Sequence, residues 1–111
     1  IFALEESEAY RNLSFIRQGG HIYIDTAGEK FPVEPFKEIL GKRNVTSVII
    51  NATSIATELL SPPSANLVLL GRFIAAEESF SADSVERAIS KTGNPQVIEK
   101  NLHAFRRGLC Q

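Results

Sequence analysis

Asn66-Leu67-Val68-Leu69-Leu70-Gly71-Arg72-Phe73-Ile74-Ala75-Ala76 reads as a helix that is apolar nearly all the way round, with a glycine at its centre. An ordinary surface helix carries one apolar stripe and one wet face. This one must be covered by other elements, and Gly71 lets a neighbour approach its backbone closely. The stretch is too short to span a bilayer. It points to the centre of a layered domain, or to a surface that another chain covers.

The elements on either side define the class. Upstream, His21-Ile22-Tyr23-Ile24-Asp25 follows Gly19-Gly20 and has the β-branched and aromatic content of a strand. Val45 and Ser47-Val48-Ile49-Ile50 make a second strand, whose continuous apolar run suggests cover on both faces. Ile1-Phe2-Ala3-Leu4 reads as the tail of a buried strand. Between these lie a helix over Glu5 to Ile16, with Ala9, Leu13 and Ile16 as its stripe, and a short helix over Phe36 to Leu40 stopped by Gly41. Ala27 to Lys30 reads as a polar turn or a short crossing segment. Thr53 to Leu60 is a further short helix, with Ile55, Leu59 and Leu60 apolar. Ser61-Pro62-Pro63-Ser64 breaks it, and Ser64 is the expected N-cap of the buried helix.

Downstream the chain is helical. Glu77-Glu78-Ser79 closes the buried helix. Ser81 is an N-cap candidate for Ala82 to Lys91, which Gly93 ends. Asn94-Pro95 starts the last helix with a capping amide and a proline at the first helical position. Ile98, Leu102, Phe105 and Leu109 form its stripe. Alternating strands and helices imply an α/β sheet covered by helices, a layered α/β/α arrangement with a helical C-terminal portion. Two strands and a strand end are too few for a normal sheet. The remaining strands are expected from an absent N-terminal portion or from a partner chain, so the fold reads as incomplete at its N-terminus. Residues 1–111 are expected to form a single domain.

Composition narrows the function classes. The chain has 111 residues, 43% hydrophobic and 23% charged, and 12 basic residues balance 13 acidic ones for a net charge of −1. That leaves no basic footprint for nucleic acid or for an anionic membrane. The pairs Lys42-Arg43 and Arg106-Arg107 are read as solvated helix ends. Cys110 is the single cysteine, so neither an internal disulfide nor a Cys/His metal set is available. A reducing cytoplasm fits this cysteine usage, and nothing at Ile1 to Leu4 resembles a signal peptide.

No local motif carries catalysis. His21 and His103 are far apart in sequence and are read as structural or solvated. Asp25 ends a strand, where open α/β sheets bind ligands, but an acid there often only caps the next turn. Gly19-Gly20 precedes its strand and so is not a dinucleotide fingerprint, and there is no nucleophile elbow. Asn66 and Asn101 are amides on helices with apolar faces. Each is expected to tie its helix to a neighbouring loop's backbone, the alternative being contact with a ligand or partner.

Taken together, Asn66-Leu67-Val68-Leu69-Leu70-Gly71, then Ser81 with Val85, then Glu99-Lys100-Asn101-Leu102-His103-Ala104-Phe105-Arg106-Arg107-Gly108 resemble the gamma-type domain of 2-oxoacid:ferredoxin oxidoreductases. That family has an N-x-x-x-L-G helix and a closing helix with an E-x-N-x-x-A-F-x-x-G pattern. Glu5 with Glu8-Ala9 looks like its E-x-x-E-A pattern, and Leu13 to Gly20 looks like its L-x-x-L-K-P-G-G turn. Gln18 stands where the family often has proline. The first helix is most similar to that of the beta subunit of indolepyruvate ferredoxin oxidoreductase. The family's G-x-G-G-Q-G turn is absent, so the chain resembles the C-terminal part of such a domain, like the third domain of pyruvate:ferredoxin oxidoreductases.

The resemblance implies an accessory subunit or fragment of a complex that oxidatively decarboxylates a 2-oxoacid to an acyl-CoA and passes electrons to ferredoxin. Thiamine diphosphate, Mg and iron–sulfur clusters are then expected on partner subunits, with CoA as co-substrate and no cofactor bound by this chain. Thiamine-binding and ferredoxin-type subunits are the implied partners, in a homo- or hetero-oligomer. Asn66, Gly71, Asn101 and Gly108 become scaffold positions, no residue is assigned as catalytic or metal-binding, and the chain alone should show no turnover. Two other classes stay open: half of a nucleotide-binding Rossmann-like domain, such as a methyltransferase, and a non-catalytic interaction module.

Overall fold

A computed structural model of the chain describes residues 1–28 and 30–111. Glu29, within the turn expected over Ala27 to Lys30, lies outside the described residues. The chain falls into two compact units, Ile1–Asn51 and Ala52–Gln111.

The first unit is the α/β part. β1 (Phe2–Ala3), β2 (His21–Asp25) and β3 (Thr46–Ile50) form a parallel sheet in the order β1-β2-β3. Phe2 pairs with Tyr23, and Tyr23 in turn with Val48. Parallel neighbours need crossover connections. These contain α1 (Glu6–Arg11) with a 3-10 turn over Leu13–Phe15, and α2 (Phe36–Lys42). β2 is the central strand, with Ile22, Tyr23, Ile24 and Asp25 all buried. The expected stripe of Ala9, Leu13 and Ile16 is buried against Ala3, Ile22, Ile24, Phe31 and Leu40. Tyr10 stacks on Phe36 at 4.1 Å and on Phe31 at 5.4 Å between ring centroids. Its hydroxyl accepts the Val33 N–H at 3.1 Å, so one side chain fixes the connection between β2 and α2.

Several expectations need correction here. The first helix is shorter than Glu5 to Ile16, because its last turn tightens to 3-10 geometry before Gly19 takes the left-handed conformation at φ 75°. Gly41 does not stop α2. It lies inside the helix, and the left-handed residue that ends the turn is Asn44, at φ 54°. β3 is not covered on both faces: it is an edge strand of this sheet, and Ile49 is 44% exposed. Arg43 is not a free helix end. Its guanidinium donates to the Leu13 carbonyl at 2.8 Å and to the Ile16 carbonyl, holding the 3-10 turn.

The second unit is helical: α3 (Ala52–Glu58), a 3-10 turn over Pro62–Ser64, α4 (Ala65–Ala76), α5 (Ala82–Ile89) and α6 (Pro95–Leu109). The local start signals work as expected. Ser81 Oγ accepts the Ser84 N–H at 3.3 Å, and Asn94 Oδ1 accepts the Val97 N–H at 3.0 Å. The core joins Ile74, Ile89 and Phe105, with Leu67, Leu70, Phe73, Val85, Leu102 and Leu109 packed around them. Leu60 is corrected: it lies beyond α3, at φ 54°, with its side chain in solvent.

Candidate functional site

The cover over the apolar helix is another helix. A Cβ placed on Gly71 would fall onto the Phe105 carbonyl oxygen, and would lie 2.8 Å from Leu109 N and 2.9 Å from Gly108 Cα. A Cβ on Gly108 would fall onto the Val68 carbonyl oxygen and lie 3.0 Å from Gly71 Cα. Real Cβ atoms do not come so close, so α4 and α6 meet backbone to backbone at two glycines. The neighbour that Gly71 was expected to admit is helix α6.

The amide readings are refined at the same junction. Asn101 Oδ1 accepts the Ser64 hydroxyl at 2.8 Å, and Ser61 Oγ lies 2.7 Å from Ser64 Oγ. An amide oxygen only accepts, so Ser64 donates to Asn101, and Ser61 donates to Ser64. Ser64 does occupy the N-cap position of α4, but its side chain makes no capping bond. Its hydroxyl is taken by α6. Asn101 therefore binds a side chain rather than a loop backbone. Asn66 is exposed, with Oδ1 accepting the Leu67 N–H at 3.0 Å.

Depressions among the described residues lie beside this junction and along α6. One, of about 400 Å³, is walled by Leu67, Leu70, Val85, Ala88 and Ile89, with Asn66 and Asn101 at its edge. A second, of about 210 Å³, lies over Leu60, Pro63, Ser64, Val97, Lys100 and Asn101. A third, of about 490 Å³, is bounded by Leu59, Leu60, Gln96, Glu99, Lys100 and His103. Asn101 borders the first two, while Leu60 and Lys100 border the last two.

Elsewhere the candidate residues stay apart. Asp25 is buried at the C-terminal end of β2. Next to it, Thr26 Oγ1 donates to Glu6 Oε1 at 2.6 Å and accepts the Gly28 N–H at 2.9 Å. This ties α1 to the strand end, a role that sequence reasoning missed because Glu6 and Thr26 are 20 residues apart. His21 and His103 are both exposed. Arg106 makes a bidentate pair with Glu86, at 2.8 and 3.1 Å, and Arg107 pairs with Glu58 at 3.3 Å, so neither is a bare helix end. The Arg106 guanidinium holds the Glu86 carboxyl below its ordinary range. Among the described residues, no group of three or more His, Cys, Asp or Glu side chains could hold a metal ion. No helix among them is long and apolar enough to cross a membrane.

A parallel α/β unit and a helical unit closed by a glycine crossing thus carry the residues of the gamma-type pattern. The model of the pyruvate ferredoxin/flavodoxin oxidoreductase family matches residues 1–110, and the chain belongs to that family. It is 32% identical over 91 residues to the "Pyruvate/ketoisovalerate oxidoreductases common subunit gamma" of Thermococcus litoralis, covering 82% of this chain and 48% of that protein. The subunit of the same name in Pyrococcus furiosus is also 32% identical over 91 residues, with the same coverage. That of Thermococcus kodakarensis is 32% identical over 89 residues, covering 80% of this chain and 46% of that protein. The chain spans about half the length of the curated relatives it matches. No solved structure matches it. The nucleotide-binding alternative finds no support among these relatives.

Proposed function

We propose that this chain is the gamma-type component of a 2-oxoacid:ferredoxin oxidoreductase, structural in its role and inactive alone. The observation that carries this reading is the family match over residues 1–110, together with the structural work done by its motif residues. Gly71 and Gly108 form the α4–α6 crossing, and Asn101 anchors the start of α4 through Ser64. These residues act in packing and hydrogen bonding within the helical unit, as a scaffold would.

The reaction of the complex is oxidative decarboxylation of a 2-oxoacid to an acyl-CoA, with electrons leaving on ferredoxin. Thiamine diphosphate, Mg and iron–sulfur clusters belong to other subunits on this reading. Support comes from the donor set: a cluster takes four cysteine thiolates, and this chain has only Cys110. The substrate is a small or branched 2-oxoacid, in keeping with relatives named for pyruvate and ketoisovalerate. Indolepyruvate, suggested by the first helix, is the second candidate. The complex is cytoplasmic on this reading.

The test is reconstitution. The full chain is co-produced with the other oxidoreductase subunits of its organism, and CoA-dependent reduction of ferredoxin is followed with pyruvate, 2-ketoisovalerate and indolepyruvate. Turnover should need both this chain and its partners. Decarboxylation by the chain alone, or full activity without it, would overturn the reading.

A further inference from the structure

We draw no further inference here: the strongest candidate, the apolar depression of about 400 Å³ between α4, α5 and α6 with the Asn66 and Asn101 amides at its edge, is an open surface groove, and nothing in the structure shows what covers it.

Discussion

Gly71 of α4 and Gly108 of α6 face each other so closely that a Cβ on Gly108 would lie 3.0 Å from Gly71 Cα. The hydrogens that stand in for side chains there point at the Phe105 and Val68 carbonyl oxygens. Contact at this range brings whole backbones into dispersion contact and admits weak Cα–H···O interactions. An alanine at either site would gain about 1 kcal/mol of helix propensity. It would also force the helices apart, and overpacking of this kind costs typically 1–3 kcal/mol, more where backbone must move. Gly71→Ala and Gly108→Ala should each lower the thermal midpoint, with a net loss of up to about 2 kcal/mol, and more where the backbone must move. The double variant should lose less than the sum, since separated helices accommodate the second methyl. A raised midpoint in either single variant would contradict the close crossing.

Gly41 provides the opposite case. It lies within α2, and a Cβ there would meet nothing within 4 Å. Gly41→Ala should therefore stabilise the protein by about 0.5–1 kcal/mol, through helix propensity and a stiffer unfolded chain. Denaturant unfolding of the two proteins side by side checks the sign.

The Ser61–Ser64–Asn101 chain predicts a coupling. Asn101→Leu takes the acceptor from the buried Ser64 hydroxyl, which should cost about 1–3 kcal/mol. Ser64→Ala should cost less, because Asn101 is only half-buried and its amide can reach water. A double-mutant cycle from unfolding curves should give a coupling of about 0.5 kcal/mol or more. Strict additivity would mean the hydrogen bond contributes nothing.

Arg43 should resist conservative replacement. Its guanidinium serves two carbonyls, those of Leu13 and Ile16. A lysine ammonium has no planar fork with which to hold both at once. Arg43→Lys should lose about 1.5–3 kcal/mol, by the usual strength of a hydrogen bond to a charged group. Faster amide exchange over Leu13 to Gly20 would locate the loss in the 3-10 turn.

The Glu86–Arg106 pair sets a pH dependence. The Arg106 guanidinium lowers the folded-state pKa of Glu86. A lowered carboxylate pKa stabilises the fold above the unfolded value, about 4.3, and that contribution disappears as pH falls through the folded value. The midpoint difference between wild type and Glu86→Gln should thus be constant from neutral pH down to about pH 5 and shrink below about pH 4. Both side chains are partly exposed, so salt should reduce the difference as well. A difference that grows on acidification would reverse the assigned sign.

What could be read from sequence follows how far each interaction reaches along the chain. Caps lie within one turn of the residues they satisfy, so Ser81 and Asn94 were legible as helix starts. β2 was legible over His21–Asp25, because a glycine pair precedes it and its composition is that of a strand. Ser64 broke the pattern, since its hydroxyl went to Asn101, 37 residues away. Arg43 did the same, reaching back 30 residues to Leu13. Leu60 reads as one more apolar residue of a helical stripe, yet beyond the end of α3, at φ 54°, its side chain lies in solvent.

The sequence by itself determined the α/β class, the starts of the late helices, the family pattern and the need to cover an apolar helix at Asn66 to Ala76. These follow from periodicity, local hydrogen bonding and composition, which act between near neighbours. Only the tertiary structure decided what covers that helix, which glycine meets which, and where the serine and asparagine hydrogen bonds close. Those choices depend on contacts between residues far apart in the chain. The meeting of Gly71 with Gly108 becomes visible only once α4 and α6 have packed.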